Sequence, residues 1–126
     1  MKQIINSEKA AKPIGPYNQA VMAGDTLYIS GQIALDAGSG NLVNATVEEE
    51  VHQVMKNLGY VLAEAGLKFE NVVKSTIFLK SMGDFPVVNQ IYGSYFASTF
   101  PARETVEVSG LPKDVRVEIS VIAVKD

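Results

Sequence analysis

Between Thr46 and Ala65, apolar residues fall at Val47, Val51, Val54, Met55, Leu58, Val61, Leu62 and Ala65. Their spacing draws a single stripe along a 3.6-residue helix, and a stripe that continuous has to be buried against another layer. Thr46 with Glu49 three residues on reads as a capping box, Glu48 to Glu50 suit the positive helix start, and Gly66 supplies a left-handed terminator. A second helix is expected from Asp84 to about Ser98. Asp84 is its cap, Pro86 sits in its first turn, and Phe85, Val88, Ile91, Tyr92, Tyr95 and Phe96 form its inner side.

Elsewhere the apolar period is two, so the partner layer is a sheet. Gln19 to Ala23 and Thr26 to Gln32 flank Gly24-Asp25, a pair suited to a tight hairpin turn. Val72 to Lys80 is rich in β-branched residues, Glu104 to Ser109 and Val115 to Val124 alternate, and a short first strand is expected near Gln3 to Asn6. The 126 residues thus predict one α+β domain: a mixed sheet of about six strands with two helices packed on one face.

Alternation assigns Leu27, Ile29, Val106, Val108, Val117, Ile119 and Val121 to the helix-facing side. The opposite set, with Tyr28, Ser30, Gln32, Arg103, Thr105, Glu107, Glu118, Ser120 and Ile122, mixes polar and apolar groups. It suits either a solvated face or a subunit interface. If the last two strands pair as an antiparallel hairpin with their valines aligned, paired numbers sum to an odd value. Glu118 then lies opposite Thr105 or Glu107, on the face that carries Arg103.

Composition removes several classes of chemistry. There is no cysteine, which excludes disulfides, thiolate metal sites and cysteine nucleophiles. The single histidine, His52, lies beside Glu48 and Lys56, away from the apolar stripe; no histidine is left for a catalytic triad or a zinc site. Net charge is −3 without any cluster of lysine or arginine, so nucleic-acid binding is not expected. With no apolar run of membrane-spanning length and no signal-like start, neither membrane association nor export is expected, and the predicted location is cytoplasmic. Gly15-Pro16 and Gly38-Ser39-Gly40 are turn chemistry, not phosphate loops.

Arg103 stands out among the remaining polar residues. A guanidinium stays charged and presents a planar fork that fits a carboxylate or phosphate, so Arg103 reads as a binder of a small anion or as half of a surface pair with Glu107. A carboxylate on the same face, Glu118, could serve a water molecule. Tyr17 follows Ile14-Gly15-Pro16 in a non-periodic stretch and is either a packing lid or a pocket wall. Asn89, next to Phe85 and Tyr92, is an amide in apolar company that needs a hydrogen-bond partner.

Four separated motifs, Ile14-Gly15-Pro16-Tyr17, Ile29-Ser30-Gly31-Gln32-Ile33, Phe85 to Asn89 with Tyr92, and Pro101-Ala102-Arg103 through Leu111-Pro112-Lys113-Asp114 to Val117-Glu118-Ile119, resemble the reactive intermediate deaminase (RidA) family. The resemblance runs from Asn6 to Val124. It implies a fold like that of a bacterial chorismate mutase, a homotrimer with sites in the clefts between subunits, and cofactor-free hydrolysis of 2-imino acids to 2-oxo acids and ammonia. By the same resemblance Arg103 would clamp the carboxylate, Glu118 would hold or activate water, and backbone groups at Gly31 and Thr105 would contact the ligand. Tyr17, Ser30 and Asn89 would line the pocket, some of them from a neighbouring chain. A non-catalytic trimer that binds small carboxylates is the alternative. Two positions depart from the family pattern: Glu104 where a small residue is usual, and Thr105 where cysteine is frequent. Alternation puts Glu104 on the valine side, where an acid must reach solvent or a partner.

Overall fold

The computed structural model describes residues 2–126. Its elements run β1 Lys2–Ile5, β2 Ala20–Ala23, β3 Thr26–Gln32, α1 Val47–Glu64, β4 Val72–Leu79, α2 Phe85–Gly93, β5 Ala102–Glu107 and β6 Val117–Val124. The six strands form one mixed sheet in the order β1-β2-β3-β6-β4-β5. Strand β6 is antiparallel to both β3 and β4, so α1 links two strands of the same direction; α2 does the same for β4 and its parallel neighbour β5.

Helix α1 forms where its pattern predicts. Thr46 Oγ1 accepts from the Glu49 amide at 3.1 Å, and Gly66 adopts φ +76° just beyond the last turn, a conformation that costs glycine little. Val51, Val54, Met55, Leu58, Val61 and Leu62 are fully buried against the sheet, where they meet Leu27, Ile77, Val117 and Ile119. Helix α2 is shorter than expected and stops at Gly93. Ser94 Oγ bonds back to the Ile91 carbonyl at 2.6 Å, and tighter turns carry the chain on to a buried Phe96. The inner side of α2 is as expected, with Val88 and Tyr92 buried.

The last two strands do not form a hairpin. Strand β5 lies at the sheet edge and pairs only with β4, which sits between it and β6. The α2 crossover delivers β5 parallel to β4, and the free side of β4 is then taken by β6. The connection from β5 to β6 therefore has to pass over β4. It holds Lys113 and Asp114 at φ 54° and 56°, tied down by a Lys80–Asp114 ion pair and by the Lys80 amide bonding to the Arg116 carbonyl at 2.9 Å.

The register also reverses the faces of β5. Arg103 pairs with Ser75, Thr105 with Ile77 and Glu107 with Leu79, all buried partners on the helix-covered side. Glu104 and Val106 instead pair with Thr76 and Phe78 on the open face, where Val106 is 41% exposed. The expected placement of Val106 toward the helices, and of Arg103, Thr105 and Glu107 opposite them, is thus inverted. A bulge between Ile29 and Gln32 makes a second correction: it brings Gln32 into register with Ile119 and buries it. The remaining helix-facing set, Leu27, Ile29, Val117, Ile119 and Val121, is buried as expected.

Candidate functional site

Arg103 reaches from the edge strand onto one face of α2. Its Nη1 donates to Asn89 Oδ1 at 2.7 Å, and its Cζ lies 5.3 Å from the Tyr92 ring centre and 5.5 Å from that of Phe85. Stacking and one hydrogen bond orient the guanidinium without neutralising it, and a cation so placed gains about 0.5–1 kcal/mol from each ring. Among the described residues no carboxylate lies within ion-pair distance of Arg103. The surface pair with Glu107 does not form; Glu107 accepts from the Met82 amide instead. Asn89 is exposed, and Arg103 is the partner that its amide was expected to need. Two residues along the strand from Arg103, Thr105 Oγ1 is buried without a hydrogen-bond partner. A buried hydroxyl with free hydrogen-bonding capacity two residues from a cation that makes no ion pair suits an anionic ligand group. A cleft of about 500 Å³ opens here, walled by Tyr92, Phe100 and Pro101.

Glu118 occupies a second cleft, of about 420 Å³, with Tyr17, Ile14, Gly31, Gln32 and Pro112 on its wall. Burial pushes the Glu118 carboxyl above the usual carboxylate range. Its position depends on Gly31: a Cβ there would stand 2.8 Å from Glu118 Cδ and collide with the carboxylate oxygen. Tyr17 is 52% exposed and forms a wall of the cleft, not a buried lid. Ser30 is not on that wall. Its hydroxyl donates to the Asn18 carbonyl at 2.7 Å and fastens the segment that carries Tyr17.

Within one chain these two groups of residues do not meet. Arg103 lies on the helix-covered face of β5, and Glu118, opposite Phe78, lies on the open face of β6. They are two strands apart, about 10 Å across the sheet at the usual strand spacing, and on opposite sides of it. The expected convergence through a β5–β6 hairpin is therefore corrected: Arg103, Asn89 and Thr105 form one group, and Glu118, Gly31 and Tyr17 another.

The sequence matches the endoribonuclease L-PSP family over residues 7–125. It is 48% identical to the human 2-iminobutanoate/2-iminopropanoate deaminase over 125 residues, covering 99% of this chain and 91% of that protein. Among solved structures it resembles a putative endoribonuclease from Thermotoga maritima, with a TM-score of 0.97, 44% identity, and 100% and 99% of the two chains covered. It also resembles E. coli TdcF with bound serine, with a TM-score of 0.94, 35% identity, and 98% and 99% covered. The chain belongs to the RidA (endoribonuclease L-PSP) family.

The two departures from the RidA pattern have different surroundings. Glu104 faces the open side, where Thr76 Oγ1 donates to it at 2.8 Å and Lys74 Nζ lies 3.3 Å away; the Thr76 bond and then the lysine hold its carboxyl below the usual range. It has found its partner away from Arg103. Thr105 remains beside Arg103. Sequence reasoning missed Glu50, which it counted only as a helix-start charge. Glu50 is fully buried and accepts from the Arg116 amide at 2.8 Å and from Arg116 Nη1 at 3.0 Å, which fixes the start of β6 two residues before Glu118. Its place in the stripe, one residue before Val51, was the available signal. Ser75 was also missed, since one serine in a β-branched strand carries no periodic signature.

Proposed function

We propose that this protein hydrolyses small 2-imino acids, such as 2-iminobutanoate and 2-iminopropanoate, to 2-oxo acids and ammonia. The observation that carries the reading is Arg103: oriented by Asn89, Tyr92 and Phe85, adjacent to an unpartnered hydroxyl, and without a carboxylate of its own among the described residues. Such a group is a preorganised receptor for a substrate carboxylate. The activity named for the human relative and the serine bound by the TdcF relative are both consistent with an amino-acid-sized ligand.

In this reading Glu118 supplies the base. A carboxylate whose pKa is raised by burial is a better proton acceptor, and it accepts a proton from water as the oxygen adds to the imine carbon. The tetrahedral adduct passes a proton to nitrogen, the carbon–nitrogen bond breaks, and ammonia leaves with the 2-oxo acid formed. A protonated imine is already electrophilic, so orientation and one base suffice, and the scheme uses no covalent nucleophile and no cofactor. Tyr17 and the Gly31 backbone line the water side; Asn89 and Thr105 line the carboxylate side.

Because the two groups lie on opposite faces of one sheet, the complete site is assembled between copies, with Arg103 from one chain and Glu118 from its neighbour, in a homotrimer. The open face supports this: Tyr28 and Val106 are 51% and 41% exposed, beside the partly buried Phe78 and Ile122. The test is to couple purified protein to a threonine dehydratase and follow 2-oxobutanoate release. Acceleration by the native chain that falls at least about tenfold in Arg103→Ala at substrate below KM is expected; no acceleration by the native chain overturns the reading.

A second reading, a carboxylate-binding trimer without catalysis, draws on the fact that the Arg103 group is fully formed without Glu118. Glu118→Gln separates the two, since a pure binder keeps all of its function in that variant.

A further inference from the structure

We infer that Ser75 and Tyr92 are a buried positioning pair that sets the tilt of the ring on which Arg103 rests. This deepens the proposed function and rests on its reading of Arg103 as the carboxylate clamp.

Ser75 is fully buried on β4, on the side lined by Ile77 and Leu79, and stands directly beside Arg103 in the parallel register. A hydroxyl at such a position is costly unless it is bonded. Its partner is the Tyr92 hydroxyl, at 2.8 Å, which is itself buried. A phenylalanine would bury the same ring without needing a partner, so packing alone does not account for two hydroxyls here. What the bond adds is a fixed far end for the Tyr92 ring, whose other side lies under the Arg103 guanidinium.

Phe85, Asn89 and Tyr92 are spaced by four and three residues, so α2 presents all three to Arg103 from one face. Asn89 fixes one nitrogen, and the two rings fix the plane. A long side chain held this way loses little further freedom when a carboxylate arrives, which lowers the entropic cost of binding. Releasing the Ser75 end of Tyr92 lets the ring, and with it the guanidinium plane, turn. The water side of the site, which α2 does not touch in this chain, is unaffected.

The variants are Ser75→Ala and Tyr92→Phe, with Ser75→Thr as the one that keeps the hydroxyl. Two readouts are needed. In imine hydrolysis, Ser75→Ala and Tyr92→Phe should each raise KM by about fivefold, the scale of one hydrogen bond, with kcat within about twofold of native. Ser75→Thr should stay within about twofold of native in both. In nitrogen-15 NMR of the arginine side chains, both hydroxyl-deleting variants should shift the Arg103 Nε–Hε resonance, and Ser75→Thr should leave it near its native position. An unshifted Arg103 resonance in Ser75→Ala overturns the inference whether or not the protein proves to be an imine hydrolase. A shifted resonance with native KM overturns the link to binding, while a native chain without hydrolytic activity defeats the functional reading and leaves the resonance as the test of the pair.

Discussion

The Arg103 side and the Glu118 side of this protein are built in opposite ways. Arg103 stands on an edge strand and is held from outside, by aromatic and amide groups on a nine-residue helix that ends early and leaves the guanidinium partly open. Glu118 stands on an interior strand and is held from within, against a glycine that leaves its carboxylate room and below a strand start pinned by buried Glu50. One side is an unpaired charge kept available, the other a charge made costly by burial. The first arrangement suits recognition, the second suits taking a proton, and neither suffices alone for imine hydrolysis.

The contrast predicts different kinetic signatures. Glu118→Gln should have the largest effect, lowering kcat by about a hundred- to ten-thousandfold while leaving binding of 2-oxobutanoate close to native by calorimetry. Arg103→Ala should act mainly on binding and raise KM by at least about tenfold, with Arg103→Lys recovering only part of it, because an ammonium lacks the planar fork. If both variants lost kcat alone, the division of labour would be wrong.

Gly31→Ala sharpens the same contrast by displacing Glu118 without touching Arg103. It should lower kcat by at least about tenfold and leave KM nearly native, as expected for a misplaced base. A variant with native kcat would show that the close approach of Gly31 and Glu118 has no role in catalysis.

Acidity separates the sides next. As the proposed base Glu118 acts in its ionised form, so on that reading kcat should fall as pH drops through a pKa above the ordinary carboxylate range. That limb should be absent from the residual activity of Glu118→Gln. For stability the sign is reversed. A carboxyl with a raised folded-state pKa favours folding below its unfolded pKa and loses that contribution as pH rises through the folded value. Glu118→Gln should therefore raise Tm modestly at neutral pH, and the gain should shrink on acidification. A lower Tm at neutral pH would mean that the carboxylate is better solvated than its surroundings indicate.

How much of this could be read beforehand differs between the same two regions. The stripe of α1, the β2–β3 hairpin and the inward phase of β6 follow from patterning, because each element buries one continuous apolar face. Strand β5 misleads by the same rule. Its valine, Val106, lies on the open side and its arginine and threonine on the side of α2, so local alternation gives the phase backwards and the hairpin built on it fails. Edge position and parallel pairing are properties of the α2 crossover, which no short-range pattern encodes. Arg103, Asn89, Thr105, Glu118, Gly31 and Tyr17 could be named from the sequence, but their separation into two groups could not. Gln32 was misjudged for a local reason, a bulge that resets the strand.

The central claim, that one working site takes Arg103 from one chain and Glu118 from another, is tested most directly by mixing two chains that are each impaired at one of these residues. Arg103→Ala and Glu118→Gln chains carrying different tags are co-expressed, and assemblies holding both are isolated through the two tags and assayed for 2-iminobutanoate hydrolysis. A homotrimer that holds both chains has one of its three interfaces with Arg103 and Glu118 both intact, so activity below KM should return to about a third of native, well above either variant alone. Assemblies that contain both chains and are no more active than the separate variants would contradict the account.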